Sequence, residues 1–203
     1  MNKLVIYIHG KGGSAKEALF YRPLFPGYDV IGLDYGSETP WDAKEEFPLF
    51  FDKAAENRDE IILIANSIGA CFALYALSDK NIKRAFFISP IVDMAKLISD
   101  MMVWANVTEE ELREKGVIKT SFGEPLSWEY LSYVRENPIE WNAPTDILYG
   151  SRDGLTSFET VSAFAKKINA GLCVMDGGEH WFHTEEQTEF LKKWISSLLN
   201  GGK

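Results

Sequence analysis

Histidine and cysteine are scarce in this 203-residue chain, with three of the first and two of the second. His9, His180 and His183 have no partners at HExxH or CxxC spacing, so neither a metal site nor a cofactor is expected. Two cysteines cannot build a disulfide scaffold. Cys71 and Cys173 both lie in apolar segments and read as buried free thiols, which fits a reducing cytoplasm. Basic residues are also in deficit, 21 Lys and Arg against 30 Asp and Glu, for a net charge of −9. With no Lys/Arg stripe, such a field repels nucleic acid. No apolar run approaches the roughly 20 residues that a membrane-spanning helix needs. The N-terminus passes from Met1-Asn2-Lys3 into Leu-Val-Ile-Tyr-Ile-His-Gly, which reads as a first strand rather than a secretory signal. Internal repeats, low-complexity tracts and interdomain linkers are absent, and nothing in the pattern fixes an oligomeric state.

What is present is an ordinary globular composition, 46% apolar and 25% charged, long enough for one large core. Short apolar runs alternate with helical patterns. Leu4 to Ile8, Tyr28 to Leu33, Ile61 to Ala65, Arg84 to Ile88, Asp146 to Tyr149 and Leu172 to Met175 read as strands. Capping boxes at Ser14–Glu17, Thr108–Glu111, Thr156–Glu159 and Thr184–Gln187 open helices, the first running toward Leu24. Thr39-Pro40 opens another, which Pro48 is expected to kink or split. The last helix buries a stripe of Phe190, Leu191, Trp194, Ile195 and Leu198. This alternation predicts an α/β fold, a parallel sheet with helices on both faces. Residues 90 to 143 break the rhythm: they hold no convincing strand, but a helical stretch over Ile91 to Ala105, the capping box at Thr108–Glu111 and a helix over Ser127 to Glu136. The expectation is one domain over 1–203 with 90–143 inserted as a small helical cap.

The segment Ile61 to Leu77 carries the most information. An apolar strand breaks at Ala65-Asn66-Ser67-Ile68-Gly69 and resumes with helical spacing, Ala70, Leu74 and Leu77 sharing one face. A serine at such a corner between small residues resembles the nucleophile elbow of the α/β-hydrolases, G-x-S-x-G, with alanine at the first position. A serine hydroxyl needs a general base, and the base an orienting acid. His180 lies in Gly177-Gly-Glu-His-Trp-Phe-His183, after the last strand, and Asp153 in Gly150-Ser-Arg-Asp-Gly, after the strand before it. Ser67, Asp153 and His180 therefore follow the order of that family, each beyond the carboxyl end of its own strand, where open α/β sheets bind ligands. The resemblance implies a three-layer fold with six strands in the order 2-1-3-4-5-6. It also implies an oxyanion hole from the backbone N–H groups of Ile68 and of Lys11, in His9-Gly10-Lys11-Gly12-Gly13. Lys11 precedes the last glycines, against the order of a phosphate loop.

Each residue has a rival reading. Ser67 could be a simple N-cap, Asp153 a turn residue. Asp93 competes with Asp153 as acid, and His183 with His180 as base; Asp176 is too near His180 along the chain. Asn66, Met101, Met102, Trp104, Trp128 and His183 are candidate pocket residues, although simple packing also explains most of them. The resemblance implies a serine hydrolase of small carboxylic esters or thioesters, a carboxylesterase-like enzyme with a small-molecule substrate. A peptidase of the same fold and a non-catalytic binding protein on that scaffold are the alternatives.

Overall fold

A computed structural model of the chain describes residues 2–201. β1 (Lys3–Ile8), α1 (Ala18–Tyr21), β2 (Tyr28–Leu33), α2 (Pro40–Ala55), β3 (Glu60–Asn66), α3 (Ser67–Ala76) and β4 (Arg84–Ile88) come first. α4 (Met94–Ala105), α5 (Glu109–Lys115), β5 (Val117–Ile118), β6 (Leu126–Ser127) and α6 (Trp128–Glu136) follow. β7 (Thr145–Gly150), α7 (Phe158–Lys167), β8 (Gly171–Met175) and α8 (Glu185–Asn200) complete the series.

Six strands form one sheet in the order β2-β1-β3-β4-β7-β8, every neighbouring pair parallel. Counting these strands alone, this is the expected order 2-1-3-4-5-6. Alternation along the strands sends side chains to both faces. Val5, Tyr7, Ile62, Ile64, Phe86 and Ile88 join one core cluster with Leu191, Trp194 and Ile195 of α8. Their neighbours Leu4, Ile6, Ile8, Leu63 and Phe87 are as fully buried. A sheet closed to water on both faces explains why its central strands read as unbroken apolar runs. α3 is buried from Gly69 to Ala76 on every side, more than the single face expected of it, and packs against α2.

The described chain separates into two compact units: residues up to Val92 together with those from Glu140 onward, and Asp93–Ile139. Within the second, α4 packs on α6, and β5 and β6 pair antiparallel. This pairing departs from the expectation that 90–143 hold no strand; strands of two residues are too short to show alternation.

Three further departures have local causes. α2 runs unbroken through Pro48. Pro48 deprives the Lys44 carbonyl of a helical donor, but Lys44 is exposed, where water can substitute, and buried Ala43, Phe47 and Phe51 hold the helix to the core. The segment from Ser14 to Leu24 is helical only in pieces, α1 flanked by 3₁₀ turns, because Pro23 offers no N–H to the turn before it. Cys71 is buried but Cys173 only half so, since β8 is an edge strand; burial still pushes its thiol pKa up.

The corner between β3 and α3 has no connecting loop: Asn66 ends the strand and Ser67 begins the helix. Its tightest contact is with the end of β1. A Cβ on Gly69 would stand 2.2 Å from the His9 carbonyl oxygen and 3.0 Å from Ile8 Cγ2. Neither neighbour can retreat, being backbone or buried. Gly69→Ala is expected to lower unfolding stability by about 2 kcal/mol or more, read as a shift in the urea midpoint at constant slope.

Candidate active site

Ser67 takes φ = +50°, a left-handed conformation uncommon outside glycine. Such strain persists only where the surroundings over-determine it, and here both flanks do so, through β3 and the buried α3. Ser67 Oγ lies 2.8 Å from His180 Nε2, and His180 Nδ1 lies 2.7 Å from Asp153 Oδ2. A carboxylate only accepts, so Nδ1 carries the proton and Nε2 is left to accept from the serine hydroxyl. The His180 and Asp153 side chains are 6% and 0% exposed, which excludes competing water from the relay.

Asp153 is held from several sides. Oδ1 accepts from the backbone N–H of Leu155 at 2.8 Å and of Thr156 at 3.1 Å, and the Thr156 hydroxyl donates to Oδ2 at 3.3 Å. Burial alone would raise its pKa; the His180 contact and the backbone donors outweigh it and hold the carboxyl below the ordinary value. Thr156, read from the sequence as a helix cap, thus serves the carboxylate. Ser157 caps α7 instead, accepting from the Thr160 N–H.

The loops carrying Asp153 and His180 touch backbone to backbone. A Cβ on Gly150 would stand 2.4 Å from the Gly178 carbonyl oxygen. The Arg152 N–H donates to that same oxygen at 2.8 Å, and Ser151 Oγ accepts from the Gly177 N–H at 2.8 Å while donating to Asp176. Asp176 is therefore occupied in this stitch. Phe182, buried with φ = +44°, anchors the His180 loop and leaves Trp181 68% exposed beside the imidazole.

Of the other expected residues, Ile68 is the second residue of α3, so its N–H has no acceptor within the helix. Lys11 is exposed in a turn closed by Gly13 N–H donating to Gly10 O at 3.1 Å, with Gly12 at φ = +73°. His9 donates from Nδ1 to the Gly10 carbonyl at 2.8 Å and stacks on Tyr35 at 4.3 Å. Its Nε2 is buried without a partner. His183 is 62% exposed and pairs with Glu179; α8 starts only at Glu185, so His183 and His180 do not share a helical face. Asp93 caps α4 through the Lys96 N–H at 2.8 Å. Met101, Met102, Trp104 and Trp128 belong to the Asp93–Ile139 unit, where Trp104 is 53% exposed against Phe122 and Trp128 faces the Arg113 guanidinium. The sequence reading missed Tyr7, Glu17, Thr156 and the Gly150–Gly178 contact. Only the paired glycines left a signal, flanking Asp153 and His180 in their two loops. Among the described residues no group of three or more His, Cys, Asp or Glu side chains is placed to hold a metal ion, and no helix is long and apolar enough to cross a membrane.

Comparison with known proteins places the fold. No known family profile matches the chain. The structure of Est1E from Butyrivibrio proteoclasticus superposes with a TM-score of 0.80 at 16% identity, over 98% of this chain and 88% of that one. Mouse alpha/beta hydrolase domain-containing protein 10 gives 0.75 at 17% identity, over 98% and 90%. In sequence, "Putative esterase/lipase 3" of Mycoplasma genitalium is 39% identical over 67 residues, 32% of this chain but only 23% of that protein's length. The chain has the α/β-hydrolase fold.

The depressed Asp153 carboxyl has a consequence for stability. It takes up a proton less readily folded than unfolded, so its contribution is complete above the unfolded value and is lost as pH falls through the lowered folded one. Denaturant midpoints should therefore fall more steeply with acid in the wild type than in Asp153→Asn, in the window below about pH 4.

Proposed function

We propose that the protein is a serine hydrolase of small carboxylic esters or thioesters, with Ser67 as nucleophile, His180 as general base and Asp153 as its orienting acid. The observation that carries this reading is the unbroken relay from Ser67 Oγ through His180 to Asp153, at 2.8 and 2.7 Å. The left-handed backbone at Ser67 supports it, because strain of that kind clusters at reactive positions.

In the acylation step Ser67 Oγ bonds to the ester carbonyl carbon as its proton passes to His180 Nε2. The imidazolium stands beside the Asp153 carboxylate, which is already charged and already hydrogen-bonded. The carbonyl electron pair moves onto oxygen, where the Ile68 and Lys11 N–H groups receive it. The positive end of α3 adds to that stabilisation. Collapse of this intermediate expels the alcohol or thiol, which takes the proton from His180. Water then bonds to the acyl carbon while its proton passes to the same nitrogen, and the bond to Ser67 Oγ breaks as the serine recovers that proton, releasing the carboxylic acid.

Ser67→Ala should lower kcat/KM for p-nitrophenyl butyrate by about 10³ or more while the far-ultraviolet circular dichroism stays unchanged. Undiminished turnover in that variant would remove the mechanism.

A further inference from the structure

Asn66, the residue before the nucleophile, is one end of a hydrogen-bonded chain that the proposed triad does not use. Its Nδ2 donates to the Tyr7 hydroxyl oxygen at 3.1 Å. The Tyr7 hydroxyl donates to Glu17 Oε2 at 2.6 Å, and Glu17 Oε1 accepts from the Ser14 backbone N–H at 3.0 Å. The direction of this chain is set at the Glu17 end. A carboxylate only accepts, so the phenol gives it its single proton and can then only accept from Asn66. Burial, followed by the neighbouring Tyr21 and Glu17, holds the Tyr7 phenol far above its ordinary pKa, so the donor persists. Asn66 is thereby obliged to turn its NH₂ toward Tyr7 and its oxygen away. That oxygen is buried without a partner, so the amide orientation serves the chain at the expense of its own acceptor.

Both ends of the chain abut the proposed oxyanion donors. At one end Asn66 is bonded directly to Ser67, with Ile68 next. At the other, Ser14 follows the glycine turn that holds Lys11. The Glu17 carboxylate presses on that turn: a Cβ on Gly13 would stand 2.7 Å from Glu17 Oε1 and 3.0 Å from His9 Cβ. Gly10 closes the turn from the elbow side, where its Cβ would stand 3.3 Å from Ser67 Cβ. Tyr7, on β1 and 1% exposed, ties the two ends together.

We infer that Asn66, Tyr7 and Glu17 form a brace that sets the spacing between the Ile68 and Lys11 N–H groups, making Tyr7 and Glu17 positioning residues of the oxyanion hole. This rests on the hydrolase reading above. Oxyanion donors act only when aimed at the place where charge develops, and small misplacements are costly.

An alkyl fluorophosphonate tests both statements without knowledge of the natural substrate. Ser67 Oγ bonds to phosphorus, the P–F bond breaks, fluoride leaves, and the serine proton passes to His180, while the phosphoryl oxygen occupies the oxyanion hole. Labelling is followed by intact mass for wild type, Glu17→Gln, Glu17→Ala and Tyr7→Phe, each well below its Tm. The expected result is one adduct per chain, on Ser67, in all four. KI should stay within about twofold, while kinact falls about tenfold in Glu17→Ala and Tyr7→Phe and less in Glu17→Gln, whose amide oxygen still accepts. A wild type without an adduct on Ser67 would overturn the hydrolase reading itself. Wild-type labelling with kinact unchanged in both Glu17 variants, or with KI alone altered, would overturn the brace and leave that reading standing. Glu17 is exposed, so its variants keep the test available if Tyr7→Phe fails to fold.

Discussion

The edge of the sheet that carries the candidate site depends on two of the places where backbone touches backbone with no room for a methyl group. At Gly69 the first turn of α3 lies against the His9 carbonyl, and at Gly150 the end of β7 lies against Gly178. The first contact joins the Ser67 corner to the glycine turn after β1. The second joins the Asp153 loop to the His180 loop. Parallel pairing brings the carboxyl ends of β1, β3, β7 and β8 to one edge of the sheet, but pairing alone fixes loops only at their roots. Steric closeness at glycine fixes them further out, and side-chain hydrogen bonds then set individual groups.

The same edge carries tension. Ser67 and Ser89 hold left-handed backbone conformations directly after β3 and β4, and Phe182 does so in the loop between β8 and α8. The buried atoms without partners include His9 Nε2, Asn66 Oδ1 and Ser89 Oγ, all at strand ends on this side. Each such atom costs about 1–3 kcal/mol. The compensation lies in the middle of the sheet, where Leu4, Ile6, Ile8, Leu63, Ile64, Phe86 and Phe87 are fully closed to solvent. Stability is generated in the sheet and expended along its rim.

Much of this was legible in the sequence, and what was not has a physical reason. The six sheet strands could be read because burial on both faces leaves a run of apolar residues with no polar interruption. Ser67, Asp153 and His180 could be singled out because each lies beyond such a run, in the order that the resemblance to the α/β-hydrolases implies. Thr156 was misread because the residues of a capping box and those that satisfy a carboxylate are the same types, and only the fold tells them apart. Glu17 fits the local capping pattern, which concealed its second partner, Tyr7, ten residues earlier. Pro48 was expected to break α2, since a local rule carries no information about Phe47 and Phe51 beneath it. The β5–β6 pair was too short to register. Contacts distant in sequence, such as Asn66 with Tyr7, have no local signature at all.

The position of β8 at the sheet margin bears on how the molecule would wear out. Its outer side pairs with no other strand, and Gly171, Leu172, Cys173 and Val174 are all at least partly open to solvent. Strands with so little cover exchange their amide hydrogens through local opening long before the centre of the sheet does. His180 lies in the loop that follows this strand, whereas Ser67 opens α3 directly after β3, deep among its neighbours. Warming would therefore open this margin before the elbow, so that amide exchange along Gly171–Val174 and the calorimetric transition report on different parts of the sheet.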